Sequence, residues 1–332
     1  MDRNSVILVT GAAGFIGSCM VGYLNRKGYH NIIIVDEFNV ENKKPNYEGK
    51  KIIARVERAE LFDWFRGHPM QIDFIFHVGA RTDTTEFDYT VLEKLNVHYS
   101  KQIWNYCVEK NIPLIYASSA ATYGDGELGY KDDHDLPYKL NPLNPYGRSK
   151  NEFDKWVLKE TKQPPFWAGL KFFNVYGPNE YHKGRMASVI FHSFNQIKST
   201  GKVKLFRSHK PGYKDGEQLR DFVYVKDVVD ICYWLMSAGL DGNGKPASGL
   251  YNLGTGQART FKDLVTAIFK SLGREPAIEY IDTPQDIRDK YQYFTEADMT
   301  KIRNAGYKEE FYSLEEGIET YVKNFLIDHK YY

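Results

Sequence analysis

The sequence predicts an α/β fold, a doubly wound parallel sheet with a smaller, interleaved C-terminal lobe. Three observations carry that expectation. The apolar run Val6-Ile7-Leu8-Val9 passes directly into Thr10-Gly11-Ala12-Ala13-Gly14-Phe15-Ile16-Gly17, a glycine-rich turn between a buried strand and a helix. Short β-rich runs then alternate with helical stretches through the first half, the mark of a parallel sheet with helices on both faces. Asp36 closes the second strand, nineteen residues beyond Gly17. In a Rossmann-type fold that position holds the acid that accepts hydrogen bonds from an adenosine ribose.

Taken in order, strands are predicted at Val6–Thr10, Ile32–Asp36, Ile52–Ala54, Phe74–His77, Leu114–Ser118 and Ala168–Phe173. Several are apolar throughout, as strands buried on both faces are. Helical spacing falls near Ile16–Arg26, Ala59–Phe65, Val91–Val108 and Gly147–Lys159. Beyond Asn174 the pattern breaks at Pro178 and several glycines, and polar Ser208–Gln218 predicts a long, partly mobile loop. Strand-like Phe222–Val225, helical Val228–Met236 and strand-like Leu250–Leu253 then predict a return to the sheet. The expected division is a dinucleotide-binding domain over 1–174, rejoined by 222–253, with 175–221 and 254–332 forming a substrate lobe.

A chain of 332 residues has room for one large core with an appended lobe, or for two domains. Its 42% hydrophobic and 26% charged residues are those of a soluble globular enzyme. The 15% aromatic share suits pockets that stack sugars or bases, and equally a heavy core. A net charge of +1 leaves no electrostatic footprint for nucleic acid or an anionic membrane, so neither is an expected partner. Cys19, Cys107 and Cys232 stand singly in apolar surroundings, without disulfide or zinc spacing, and no metal is expected. A cytoplasmic location fits: no apolar run is long enough to span a bilayer, and the first strand begins too near Met1 for a cleaved signal.

The glycine turn makes a diphosphate seat when its backbone N–H groups face a ligand, because glycine permits close approach and the helix start favours negative charge. Gly11, Gly14, Phe15, Ile16 and Gly17 would form it. The Gly-x-x-Gly-x-x-Gly spacing is one residue longer than the Gly-x-Gly-x-x-Gly fingerprint, and an ordinary tight turn reads the same way. Asp36, followed by Glu37, would hold the ribose; its other reading is a strand-end turn carboxylate. Alone, Asp36 favours NAD, since a carboxylate there repels the 2′-phosphate of NADP. Lys43 and Lys51 follow in a loop and would offset that repulsion. His77-Val78-Gly79-Ala80-Arg81 follows the fourth strand, where a loop passes adenosine and diphosphate. Asn96 interrupts a helical segment with a residue of poor propensity, either as an exposed helix residue or for a reason of position.

Tyr146 and Lys150 lie four apart at a helix start, so their side chains share a face one turn apart. An ammonium near a phenol stabilises the phenolate and lowers a pKa of about 10, which makes Tyr146 an acid or base for an alcohol carbon. Among 25 tyrosines such a pair also arises by chance. Its position gives it weight, for it follows a strand that ends at Ser118 and Ser119. A serine hydroxyl there can hold the same substrate oxygen.

These motifs, with Ser118-Ser119-Ala120-Ala121-Thr122-Tyr123-Gly124 and Phe173-Asn174-Val175-Tyr176-Gly177-Pro178, occur in an order that resembles the extended short-chain dehydrogenase/reductase family of nucleotide-sugar enzymes. The resemblance covers nearly the whole chain. Gly79-Ala80-Arg81-Thr82-Asp83-Thr84-Thr85-Glu86, His182-Lys183-Gly184-Arg185-Met186-Ala187-Ser188-Val189, Arg220-Asp221-Phe222-Val223 and Tyr291-Gln292-x-Phe294-Thr295-x-Ala297-Asp298 are similar to segments of an epimerase branch that serves lipopolysaccharide precursors. The resemblance implies an isomerase acting on a nucleotide sugar with a tightly bound nicotinamide cofactor, NADP, against the NAD that Asp36 alone favours. It places Lys183 across the nicotinamide from Tyr146, with Val175 beside the cofactor, and implies a homo-oligomer, a pentamer. Around the substrate it puts Asn174, Arg185, His192, Phe206, Arg207, Ser208, His209, Arg220 and Tyr291. Arginines suit that task because a guanidinium grips a diphosphate with two parallel hydrogen bonds. From the residues alone, Lys183 reads as a solvated lysine and His192 as a capped or buried helix histidine.

Epimerising an unactivated carbinol carbon requires its hydride to leave and return on the other face. When that carbon lies outside the sugar ring, the aldehyde rotates, its oxygen then points elsewhere, and a second proton-transfer group is called for. Lys183 is the expected one, since burial pulls a lysine's pKa down. Two other readings stay open. A UDP-hexose 4-epimerase or dehydratase shares the tyrosine, lysine and serine but lacks the His182–Val189 segment. A non-catalytic cofactor-sensing protein need not keep Tyr146, Lys150 and Ser119.

Overall fold

The protein is described here by a computed structural model covering residues 1–332 except 69, 85, 242–245 and 289–290. Seven parallel strands form the central sheet: β1 (Ile7–Thr10), β2 (Ile32–Asp36), β3 (Ala54–Glu57), β4 (Phe74–His77), β5 (Leu114–Ser119), β6 (Trp167–Phe172) and β10 (Gly249–Leu253). Their order is β10-β6-β5-β4-β1-β2-β3, so the winding reverses between β1 and β4. A crevice opens at such a reversal, beyond the carboxyl ends of the strands. Alternate strand residues feed two cores: Ile7, Val9, Ile34 and Phe76 pack on one face, Leu8, Ile33, Val35 and Ile75 on the other. Burial on both faces is why these runs read as continuously apolar.

Two expectations about strands are corrected. The third strand lies at Ala54–Glu57 and not at Ile52–Ala54. As the sheet's edge it buries only Val56, so its sequence carries no apolar run, while apolar Ile53 stays 46% exposed. Residues Phe222–Tyr224 do not rejoin the main sheet. The open side of β6 is taken by β10, in the register Leu250↔Gly169. The chain leaves β6 at Phe173 for β7 (Asn174–Tyr176), which pairs with β9 (Leu219–Tyr224) in the register Asn174↔Phe222. With β11 (Ala258–Thr260) these make a separate three-stranded sheet. A parallel pair, β8 (Val203–Phe206) with β12 (Ile278–Ile281), lies apart from both. Ser208–Gln218 runs between β8 and β9 without strand or helix, held by Ser208 N–H on Asp215 at 2.9 Å and His209 N–H on the Tyr293 hydroxyl at 2.9 Å.

The three cysteines are buried as free thiols. Among the described residues no helix is long and apolar enough to cross a membrane, and no group of three His, Cys, Asp or Glu could hold a metal ion.

The helix Val225–Ala238 carries Asp227 in its first turn, where burial, with Asp230 nearby, pushes its carboxyl up to about 7 against the Tyr312 N–H and Lys226. A raised folded pKa means the folded chain holds this proton between the unfolded value, about 4, and about 7. Stability from this group is thus complete below pH 4 and is lost as pH rises through 7. A rise of that size corresponds to at most about 4 kcal/mol of stability between the two pH limits. Asp227→Asn keeps an acceptor for Tyr312 and is expected to raise the melting temperature at pH 8 by a few degrees. At pH 4 the variant is expected to melt with the parent, and a melting series across that range checks both.

Candidate active site

At the reversal, the helix Phe15–Arg26 starts from Gly14, and its first-turn N–H groups have no intrahelical partner. Gly11 sits at φ +68°, and a Cβ there would lie 2.6 Å from the Gly79 Cα, so the turn and the loop after β4 fit together only as two glycines. Behind them His77 is buried. The Thr10 hydroxyl meets its Nδ1 at 2.7 Å and itself accepts the Gly79 N–H at 3.1 Å, while Nε2 meets the Ser100 hydroxyl at 2.8 Å. Because Ser100 already donates to the Asn96 carbonyl, the network assigns Nε2–H as donor and Nδ1 as acceptor. Burial, with Lys150 nearby, pushes His77 down to about 3, and it stays neutral as this arrangement needs.

Asp36 ends β2 beside the seat. Its oxygens accept the Ala13 N–H at 2.9 Å, the Glu37 N–H at 2.7 Å and the Lys43 ammonium at 3.0 Å. Glu37, Lys43 and Arg58 line the same cavity of about 350 Å3, whose walls include Gly11, Gly14, Phe15, Ile16, Gly17, Val78, Gly79, Ala80 and Arg81. A helix start, a strand-end acid and two cations in one cleft are the polar groups a dinucleotide site uses.

That cleft continues into a second cavity of about 320 Å3, with Phe15, Ile16, Val78, Ala80 and Lys183 common to both. Ser119, Tyr146, Lys150, Asn174 and Val175 line the second. Tyr146 and Lys150 open the helix Pro145–Lys159, which Asn144 caps by accepting the Gly147 N–H at 2.8 Å. Lys150 is buried and donates to the Ala117 carbonyl at 2.8 Å, which fixes its ammonium beneath the cavity. Burial pulls Lys150 down to about 8, and Asp154 one turn on acts against that. The same burial pushes the Tyr146 phenol above its ordinary value, with Ser119 opposing. Under this floor Asp154 pairs with Lys171 at 2.7 Å, both side chains at most 1% exposed. It also accepts from Ser118 at 2.7 Å and Tyr116 at 3.0 Å, pinning the end of β5.

Lys183 lines both cavities from another element, the segment Tyr181–Met186 after β7. Its ammonium lies 5.3 Å from the centre of the Phe15 ring, and burial pulls its pKa down while Glu180 pulls it up. A phenol and an amine thus line one cavity from unrelated elements.

The profile of the NAD dependent epimerase/dehydratase family matches residues 7–254. The chain belongs to that family. It is 49% identical to the ADP-L-glycero-D-manno-heptose-6-epimerase of Fusobacterium nucleatum over 331 residues, 97% of this chain and 98% of that protein. With the enzyme of that name from Nitratidesulfovibrio vulgaris it shares 47% over 321 residues, 96% of this chain and 97% of the other. The solved structure of the Helicobacter pylori ADP-L-glycero-D-manno-heptose-6-epimerase superposes with a TM-score of 0.79 at 29% identity, covering 97% of each chain.

In this member of the epimerase/dehydratase family, some expected site residues stand elsewhere. Lys51 is exposed outside the cleft, its backbone paired with Asn25. His77 supports the seat from behind. Asn96 is buried in a π-helical turn, Glu93–His98, and takes both the N–H and the carbonyl of Arg81, at 2.8 and 3.0 Å. It shapes the loop over the cleft without lining it. Among the residues expected around the substrate, Arg220 lies 5.7 Å over Phe261, a wall of the second cavity, and 5.4 Å over Tyr291, whose ring meets Phe206 at 5.9 Å. Arg220, Tyr291 and Phe206, with Phe261, form a cluster. Arg207 turns to Asp282 at 3.3 Å, Ser208 donates to the Lys210 carbonyl, and His209 accepts the Thr283 N–H at 3.4 Å. Arg185 is exposed, and its carbonyl meets His192 Nε2 at 3.3 Å. Arg58 was absent from the sequence expectations. The signal for it was its place just past the strand beside β2, where Asp36 pairs with Glu57.

Proposed function

We propose that the protein converts ADP-D-glycero-D-manno-heptose to ADP-L-glycero-D-manno-heptose, oxidising carbon 6 to an aldehyde and re-reducing it on the opposite face. The observation that carries this reading is the placement of Tyr146 and Lys183 on two walls of one cavity, in a chain so similar over its length to enzymes of that name. A bound nicotinamide dinucleotide supplies the reversible hydride acceptance. Tyr146 holds the proton of the substrate oxygen in one orientation, and Lys150 stabilises its phenolate when that proton is taken. Ser119 donates to or accepts from the same oxygen. After the aldehyde turns, Lys183 exchanges the proton at the new oxygen position, aided by burial that draws its pKa down. Offering the purified protein ADP-D-glycero-D-manno-heptose without added cofactor, and following carbon 6 by NMR, tests the proposal. UDP-hexoses are expected to remain unchanged.

The cofactor in this proposal is NADP. Three donors already engage the Asp36 carboxylate, which weakens its repulsion of a 2′-phosphate, and Lys43 and Arg58 give that phosphate two cations. Lys43→Ala and Arg58→Ala are each expected to weaken NADP retention about tenfold relative to NAD, the worth of one charged hydrogen bond. Mass analysis of acid-released cofactor reads this, and NAD in the parent protein would contradict it. The proposal also places the enzyme in the cytoplasm as a homo-oligomer supporting lipopolysaccharide precursor synthesis, with light scattering to read the assembly.

A further inference from the structure

We infer that Glu180 is a positioning residue for Lys183, its buried carboxylate closing the turn that carries the lysine and facing it with a negative charge. The inference rests on the proton-transfer role proposed for Lys183. Glu180 is fully buried between β7 and the helix Val189–Thr200. Its carboxylate accepts the Gly177 N–H at 3.4 Å, three residues back, and the Ser188 hydroxyl at 2.7 Å, eight residues on, together with the Ser188 N–H. One side chain therefore ties both ends of the excursion over residues 181–187. Ser188 is itself fixed, because its hydroxyl accepts the Phe191 N–H at 3.2 Å and caps the helix. Inside the excursion the Lys183 N–H donates to the Glu180 carbonyl at 3.0 Å, and the chain reverses at Gly184, with φ +54° and ψ −128°. That backbone region favours glycine.

A carboxylate this deeply buried persists only when hydrogen bonds and a partner charge offset its desolvation. The hydrogen bonds come from Gly177 and Ser188. Burial pushes the Glu180 carboxyl up, and the Lys183 ammonium is the one charge that acts against it beside those hydrogen bonds; the other titratable groups that sense Glu180, namely Cys19, Tyr181 and Tyr321, are not cationic. On its other sides Lys183 meets the Phe15 ring and His182, and burial with nearby cations pushes His182 down to about 4, leaving it neutral. Glu180 thus sets where the Lys183 ammonium sits and how readily it gives up its proton.

The test is a cycle between Glu180→Gln and Lys183→Met, read as turnover against pH with bound cofactor measured alongside. Glu180→Gln is expected to keep its cofactor, lose about 10- to 100-fold in kcat, and move the pH limb that vanishes in Lys183→Met about one unit lower. In the Lys183→Met background the same change is expected to cost less than about twofold, because groups acting as one unit are not additive. Glu180→Asp, which keeps the charge but shortens its reach, is expected to lower kcat and leave the limb in place. It serves as the folded comparison if Glu180→Gln does not accumulate. An unmoved limb in Glu180→Gln with losses that multiply, or a limb that moves in Glu180→Asp, overturns the inference. Parental turnover in Lys183→Met would instead remove the proton-transfer role of the lysine.

Discussion

Tyr146→Phe is expected to lower epimerase turnover by about 100- to 10,000-fold, the range lost with a positioned acid–base group. The substitution removes one oxygen and leaves the ring that packs in the cavity. The proposed cofactor seat lies at Gly11, Gly14, Gly79 and Asp36, away from the phenol, so bound cofactor is expected to stay at the parental level. The phenol's protonation is what the site controls. Burial and the Asp154 charge push it up and Ser119 acts against them; in the proposed mechanism the Lys150 ammonium one turn away supports the phenolate when the proton is taken. Burial pulls Lys150 down to about 8, so the support its charge is proposed to give a phenolate declines as pH rises through that value. Steady-state turnover with cofactor occupancy by mass is the check, and a variant within tenfold of the parent would take the proton transfer away from Tyr146.

Lys183→Met carries the second large effect, again about 100- to 10,000-fold in turnover with the cofactor retained. Methionine keeps the length and apolar stem and removes only the ammonium that lies over Phe15. A lysine serving simply as a surface charge would lose almost nothing on this change. The loss is expected because the two proton transfers occur at different oxygen positions, and Tyr146 is held to one of them by the helix cap at Asn144. Turnover near the parental value would mean that one group serves both half-reactions.

Much of this was written in the sequence for a physical reason. Strands covered by helices on both faces must be apolar throughout, which made β1, β2, β4, β5 and β6 legible to within a residue or two. Tyr146 and Lys150 were legible because helical spacing alone puts them on one face. The edge strand β3 was displaced because a half-exposed strand carries little apolar signal, and Arg58 was missed with it. The partnership of β9 with β7 depends on β10 occupying the side of β6, a competition between segments far apart in the chain. Asn96 attracted notice through its poor helix propensity, but only packing shows that it holds Arg81. Lys183 reads as an ordinary polar residue until the fold brings it over Phe15 and against the cavity of Tyr146.

The proposed mechanism is tested most directly by running the reaction on ADP-D-glycero-D-manno-heptose in heavy water, without added cofactor, and observing carbon 6 by NMR. Hydride that leaves and returns inside one closed site keeps its protium, so the L-glycero product is expected to form with ordinary hydrogen at carbon 6. Absence of that product, or its formation with deuterium at carbon 6, would contradict the mechanism.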